Sequence, residues 1–80
     1  MDISLEDVIE MLEDIQEDID YQSTTTLIDD GMLDSFDILA IVSAADDEFG
    51  AQIPAKDIVP ESFNSAQALH ALIVRLLDED

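Results

Sequence analysis

Apolar residues near the start of the chain recur every three or four positions, and this spacing limits the possible folds more than any other feature. It places them on one face of an α-helix, with the acidic residues mostly on the other faces. Ser4, followed three positions later by Asp7, is typical of a helix N-cap. The pattern predicts a helix over about residues 4–19. Its apolar face comprises Leu5, Val8, Ile9, Leu12, Ile15 and Ile19.

A second helix is predicted to follow Asp34. This residue can cap a helix, and Asp37 then occupies the third helical position, where a carboxylate meets free N–H groups. Gly50 is common just beyond a helix end, so the helix should stop there. Its apolar stripe comprises Ile38, Ile41, Val42, Ala45 and Phe49.

The last helix is predicted to begin at Asn64, with Gln67 completing a second capping box, and to run to about Leu77. A short third helix should start at Pro54 and be stopped by Pro60. No segment alternates with a period of two, so no strand is expected. The apolar face of the last helix comprises Leu69, Leu72, Ile73 and Leu76.

These elements predict an all-α fold. With only 80 residues, the chain should form one domain over residues 1–80. We expect a small four-helix bundle of three longer helices and one short third helix, with a long first loop over residues 20–34. Four apolar residues should pin this loop to the core: Leu27, Ile28, Met32 and Leu33.

The charge balance narrows the possible partners. The chain has 21 Asp and Glu against 2 Lys and Arg, a formal net charge of −19. Binding to nucleic acid or anionic membranes needs basic patches, so neither is expected, and basic proteins or cations are favoured. No apolar run approaches the ~20 residues of a membrane span, and Met1-Asp2-Ile3-Ser4 does not resemble a signal peptide. We expect a cytoplasmic monomer.

The sequence contains few residues of the kinds that form catalytic sites. The chain has no Cys, a single His and no glycine-rich phosphate loop, which indicates a protein handled by enzymes rather than an enzyme. His70 is expected at the surface or the core boundary, and Arg75 and Lys56 are expected to pair with carboxylates.

The second helix carries surplus apolar residues. With the core stripe assigned, Phe36 and Leu39 remain on the outward arc with Ala40 and Ser43, which favours a protein partner. Alternatively, Phe36 folds back onto the loop and Leu39 is an ordinary exposed residue. Ser35 follows the N-cap directly. Such a serine usually only caps, but the N–H groups and dipole of a helix N-terminus also suit a phosphate ester.

The segment Asp30-Gly31-Met32-Leu33-Asp34-Ser35-Phe36-Asp37 resembles the prosthetic-group attachment motif of acyl carrier proteins. In that family an Asp-Ser-hydrophobic triplet opens the second helix. Other parts of the chain are similar to the family as well: Phe49 at the end of the second helix, Ile53-Pro54 before the short helix, and Phe63-Asn64-Ser65 with Gln67 at the start of the last helix.

The resemblance implies an acyl-carrier-like fold and a non-catalytic role. Ser35 would be joined covalently to 4′-phosphopantetheine by a phosphopantetheinyl transferase, and the thiol of this arm would carry an acyl or aminoacyl group as a thioester. Asp34 would orient the site and meet the transferase. The docking surface for basic acyl- or aminoacyl-activating and transferring enzymes would comprise Asp34, Phe36, Asp37, Leu39, Asp46 and Asp47.

The sequence does not identify which acyl or aminoacyl group would be carried. Gly31-Met32-Leu33 is more similar to D-alanyl carrier proteins and other partners of adenylation enzymes than to fatty-acid carriers, although that group often has Gly at the position of Asp37. Ala40 and Ser43 replace the Glu and Met common in fatty-acid carriers. Two interaction roles are alternatives: an acidic cation-binding protein and a mimic of nucleic acid. A calcium-binding EF-hand would place Ile28 at a ligand position, where it cannot bind the ion.

Overall fold

The computed structural model describes residues 3–78, and within that range the chain forms helices and no strand. α1 packs against both α2 and α4, and α3 packs against α4. The all-α prediction, with three longer helices, is therefore confirmed. The helices are α1 (Leu5–Ile15), α2 (Ser35–Phe49), a 3₁₀ helix (Ala55–Asp57), α3 (Pro60–Phe63) and α4 (Ala66–Asp78).

α1 begins as predicted but ends four residues earlier than expected. The Ser4 hydroxyl accepts from the Asp7 N–H and the Asp7 carboxylate accepts from the Ser4 N–H, each at 3.1 Å. The helix ends at Ile15, and Gln16 adopts an extended conformation, so the predicted end at Ile19 is wrong. No basic residue lies in the last turn to offset the helix dipole, and the acids there oppose further extension.

Tyr21 closes this end of α1. Its ring is only 2% exposed, and its hydroxyl donates to the carbonyl oxygens of Gln16 at 2.6 Å and Leu12 at 3.2 Å. The Leu12 carbonyl also accepts from the Gln16 N–H at 2.8 Å, whereas the Gln16 carbonyl lies at the helix end, where no amide of the helix can reach it. The start of the long loop therefore folds back against the C-terminal end of α1. Nearby, the Ser23 hydroxyl donates to the Asp20 carboxylate and holds the pKa of Asp20 below its usual value.

Tyr21 should resist ionisation in the folded protein. Burial first, and then the negative charges of Asp37 and Glu13, raise its pKa to about 12 from 10.0. Because the folded pKa is the higher one, this stabilisation is fully present below pH ~10 and is lost as the pH rises towards 12. The chain has one Tyr and no Trp, so tyrosinate absorbance reports this group alone. We expect a midpoint near 12 in the folded protein and near ~10 in denaturant; equal midpoints would contradict the burial.

α2 begins and ends at the predicted residues. Asp34 and Asp37 form a reciprocal capping box, with N–H to carboxylate distances of 3.0 and 3.1 Å. Gly50 adopts the left-handed conformation, with φ of 69°, and its N–H bonds to the Asp46 carbonyl. A residue with a Cβ would be strained at that φ. The two ends of α2 are thus set by local sequence signals.

The connection between α2 and α4 differs from the prediction. Pro54 is extended and precedes a 3₁₀ helix of three residues, instead of opening a helix that runs to Pro60. Pro60 itself lies at the start of α3, because its fixed φ suits the first helical turn and its missing N–H is not needed there. The single short helix expected here is therefore two shorter elements.

α4 is capped by a different residue from the one predicted. The Ser65 hydroxyl accepts from the Ala68 N–H at 3.0 Å, whereas the Asn64 side chain turns towards the long loop. Gln67 also reaches the loop, where its amide donates to the Gln22 carbonyl at 3.3 Å. The predicted capping box of Asn64 and Gln67 is wrong, because both side chains have partners distant in sequence.

The core draws on every longer helix and on the loop. α1 contributes four buried residues, α4 contributes four and α2 contributes Ile41 and Ala45. Leu27 and Leu33 of the loop are also buried, while Met32 is 43% exposed, so Met32 does not pin the loop as expected. His70 is half-buried at the core boundary, as predicted, with Nε2 2.6 Å from the Ile3 carbonyl oxygen.

Candidate functional site

The candidate site lies where the long loop turns into α2. The Gly31 N–H bonds to the Ile28 carbonyl at 3.0 Å, and Gly31 has a φ of 72°, which favours glycine. The Leu33 N–H then bonds to the Leu27 carbonyl at 3.0 Å, and both leucines are buried. This turn brings the chain from the core to the surface at Asp34.

Ser35 is the first residue of α2 and is exposed. The cap on this helix belongs to Asp34, whose carboxylate accepts from the N–H of Asp37. Ser35 is therefore not the capping residue, which was the simplest alternative explanation for a serine at this place. The N–H groups of Ser35 and Phe36 lie in the first turn, where no intrahelical carbonyl is available to them. The Ser35 hydroxyl is therefore close to the free backbone N–H groups of the first turn and is exposed to solvent.

Two large apolar side chains lie on the exposed face of α2 next to Ser35. Phe36 is 82% exposed and Leu39 is 62% exposed, so neither folds back onto the loop. Met32, on the other side of Ser35 in the chain, is partly exposed as well. The predicted outward position of Phe36 and Leu39 is confirmed, and exposed apolar residues grouped in this way are typical of interaction sites.

Acidic residues border this apolar patch. Phe36, Leu39, Ser43 and Asp47 follow one another at spacings of three and four, so they share one face of α2. Asp34, Asp46 and Asp47 are exposed, while Asp37 is half-buried in the capping box. This face therefore carries an apolar patch near the start of α2 and the Asp47 carboxylate near its end, and exposed carboxylates lie at both ends of the helix.

The other charged groups do not form a second site of this kind. Arg75 forms an ion pair of 2.9 Å with Asp57, as predicted. The carboxylate partner predicted for Lys56 is not found within residues 3–78, where Lys56 lines an open groove beside that pair. Among residues 3–78, no group of three or more His, Cys, Asp or Glu side chains is arranged to hold a metal ion. No helix within the same range is long and apolar enough to cross a membrane.

Two residues that shape the loop were not identified from the sequence as structural contacts. Tyr21 carries no periodic signal, although a lone tyrosine in a polar segment is an indication of a buried anchor. Asn64 has a good local interpretation as a helix cap, which conceals its contacts with residues 27–29. Both depend on partners that only the fold brings together.

Comparison with known proteins gives no relative for this chain. No protein-family model matches it, no curated protein matches it, and no solved structure matches it.

Proposed function

We propose that the chain is a cytoplasmic carrier protein that bears an acyl or aminoacyl group on 4′-phosphopantetheine attached to Ser35. One observation carries the proposal: an exposed serine occupies the first position of a long helix, beside an exposed Phe and Leu, and exposed acids lie at both ends of that helix. The motif resemblance to acyl carrier proteins supports the same reading.

The residues around Ser35 fit a phosphodiester. The serine hydroxyl is exposed, and the first turn of α2 offers backbone N–H donors and the positive end of a helix dipole. The carboxylates of Asp34 and Asp37 are engaged with each other's N–H groups, which directs one oxygen of each towards the backbone. Once attached, the phosphopantetheine arm supplies a terminal thiol, which the cysteine-free chain lacks.

The protein's own residues position and present this arm. The capping box fixes the start of α2, so Ser35 is held at a defined place on a rigid element. The carboxylates attract basic docking surfaces on the transferase and on acyl- or aminoacyl-activating enzymes, which speeds encounter. Phe36 and Leu39 then provide the apolar contact that orients the complex. None of these steps requires catalysis by the chain itself.

An aminoacyl cargo, including D-alanine, is a specific form of this proposal. It rests on the Gly31-Met32-Leu33 sequence and on Ala40 and Ser43, which are both exposed on α2. The phosphopantetheine-bearing protein would be incubated either with an adenylation enzyme, ATP and D-alanine, or with an acyltransferase and acyl coenzyme A as the donor. The mass gained would distinguish the cargo classes.

The direct test is loading. We expect that a broad-specificity phosphopantetheinyl transferase adds one phosphopantetheine per chain from coenzyme A, measured by intact-protein mass spectrometry. The Ser35 hydroxyl would form the new phosphodiester, and the pyrophosphate bond of coenzyme A would break with release of adenosine 3′,5′-bisphosphate. The transferase without coenzyme A is the control. A fully folded chain whose mass stays unchanged over prolonged incubation with active transferase would rule out the proposed function.

Truncating the apolar contact should slow loading more than it affects folding. We expect Leu39→Ala to lower kcat/KM for loading about tenfold, the size of a typical interface anchor. Because Leu39 is 62% exposed, the free energy of unfolding of the variant should differ from that of the wild type by only about ±0.5 kcal/mol. Val59→Ala, which truncates an exposed apolar residue outside α2, is the matched control. A Leu39→Ala chain that unfolds but is loaded normally would show that Leu39 belongs to the core.

Reversing a charge on the docking face should act mainly on encounter. We expect Asp46→Lys to slow loading, and the difference from wild type to shrink as salt is added, because rim charges steer association through a screened field. Asp14→Lys makes the same charge change in the last turn of α1 and should leave loading near the wild-type rate. Equal slowing by both variants would indicate a dependence on net charge rather than on this face.

A further inference from the structure

Asn64 joins the two halves of the chain through a group of four hydrogen bonds. Its backbone carbonyl accepts from the Leu27 N–H at 2.8 Å. Its side-chain oxygen accepts from the N–H groups of Ile28 at 2.9 Å and Asp29 at 3.0 Å. Its side-chain amide donates to the Asp29 carboxylate at 3.2 Å. A single residue at the junction of α3 and α4 thus holds three consecutive residues of the long loop.

These bonds are connected to the candidate site through the loop backbone. The Leu27 carbonyl accepts from the Leu33 N–H at 3.0 Å, and the Ile28 carbonyl accepts from the Gly31 N–H at 3.0 Å. Leu33 is immediately followed by Asp34 and Ser35. The residues that Asn64 holds are therefore hydrogen-bonded to the last residues before α2.

Apart from the bonds to Asn64, this stretch of the loop is held by its own turn hydrogen bonds and by little buried surface. Leu27 and Leu33 are buried and the half-buried Ile28 packs against the core, but residues 29–32 are exposed. Within the loop itself, the Asp30 N–H bonds to the Thr26 carbonyl at 2.8 Å. Loop regions with exposed backbone bonds and little buried area open at low free-energy cost. Removal of the Asn64 side chain would leave the half-buried N–H of Ile28 without its acceptor and would release Asp29.

We infer that Asn64 is a positioning residue for Ser35, which fixes the approach of the loop so that Asp34 and Ser35 are presented to the transferase in one arrangement. The inference rests on the proposed function. An asparagine suits this role because its side-chain oxygen can accept two N–H groups while its NH₂ donates to a carboxylate. Ser has a single oxygen on a shorter side chain, and an ionised Asp has no donor and would add a second negative charge beside Asp29.

The test compares Asn64→Ala with wild type in two measurements. We expect amide hydrogen exchange at Ile28 and Asp29 to become about tenfold faster, which corresponds to the loss of roughly one net hydrogen bond. In the loading reaction we expect the KM for the carrier to rise several-fold with little change in kcat. The reason is that apparent affinity falls with the fraction of chains that hold the competent loop conformation.

A second set of variants, in which the residue types at positions 29 and 64 are swapped, tests the inference even if Asn64→Ala fails to fold. Asn64→Asp keeps the acceptor oxygen but places a second carboxylate next to Asp29, so the rate of amide hydrogen exchange and the KM should both rise. Adding Asp29→Asn to Asn64→Asp restores a donor and acceptor pair between the same positions. We expect the double variant to recover most of the wild-type KM.

Two controls separate positioning from general stability. Ser65→Ala removes the cap of α4, and Gln67→Ala removes the bond to Gln22 at the far end of the loop. Both lower stability without touching residues 27–33. The inference is overturned if either control raises KM as much as Asn64→Ala does. It is also overturned if the double variant Asn64→Asp with Asp29→Asn does not recover the KM lost in Asn64→Asp. A wild-type chain that accepts no phosphopantetheine overturns the proposed function, and the inference with it.

Discussion

Replacement of Ser35 by Ala should abolish phosphopantetheine addition completely and leave the fold intact. The attachment needs a hydroxyl, and the neighbouring residues supply none that is equivalently placed. Folding should be preserved because Asp34, not Ser35, caps α2. Ala also has a higher helix propensity than Ser. At this exposed position we expect the free energy of unfolding to change by about 0.5 kcal/mol or less.

Intact-protein mass spectrometry after incubation with transferase and coenzyme A measures the first expectation, and thermal unfolding followed by circular dichroism measures the second. Ser43→Ala is the matched control, because Ser43 is also an exposed serine of α2 but is not part of the docking surface. That variant should load as the wild type does. Addition to Ser35→Ala at any other serine would refute the assignment, and those serines are Ser4, Ser23, Ser43, Ser62 and Ser65.

The sequence was sufficient for features that depend on local signals. The ends of α2 were predicted correctly because Asp34, Asp37 and Gly50 act within one helical turn of the bonds they satisfy. The Ser4 and Asp7 capping box was predicted for the same reason. The outward positions of Phe36 and Leu39 followed from helical geometry once the core stripe was assigned. Most of the proposed site lies on α2, so it could be located before the fold was known.

Features set by distant contacts could not be predicted in this way. The apolar spacing of Ile15 and Ile19 suits a helix, yet α1 ends at Ile15, and Tyr21 folds back to meet its last carbonyl groups. Asn64 satisfies the local pattern of a helix cap, but its partners lie 35 and 36 residues earlier. Periodicity also gives no guidance within a loop, which is why Met32 was wrongly assigned to the core.

The same charge imbalance that suits basic partners should make the fold unusually dependent on salt. The chain has 21 acids and 2 basic side chains, and the ion pair of Arg75 with Asp57 has an arginine side chain that is 53% exposed. Such a pair contributes about 0–1 kcal/mol and cannot offset repulsion among the remaining carboxylates. Folding brings these carboxylates closer together, so screening should stabilise the folded state.

We expect Tm to rise by roughly 10 °C when ionic strength is raised from about 0.01 to 0.15 M. The screening length falls from ~30 to ~8 Å over this range, and in a domain of this size a gain of about 2 kcal/mol corresponds to a rise of that order. Thermal unfolding followed by circular dichroism in sodium chloride provides the measurement. A Tm that stays flat or falls would show that favourable ion pairs outweigh the repulsion.

Charge-reversal variants distinguish general repulsion from a specific ion site. Asp14→Lys and Asp46→Lys each shift the net charge of −19 by two units, so both should raise Tm at low salt and reduce its salt dependence. Because screening depends on ionic strength alone, the response should be gradual and should not saturate at low ion concentration. A response that saturates at micromolar calcium would instead favour the cation-binding alternative. The docking effect of Asp46→Lys is then separable from its stability effect, because Asp14→Lys shares only the latter.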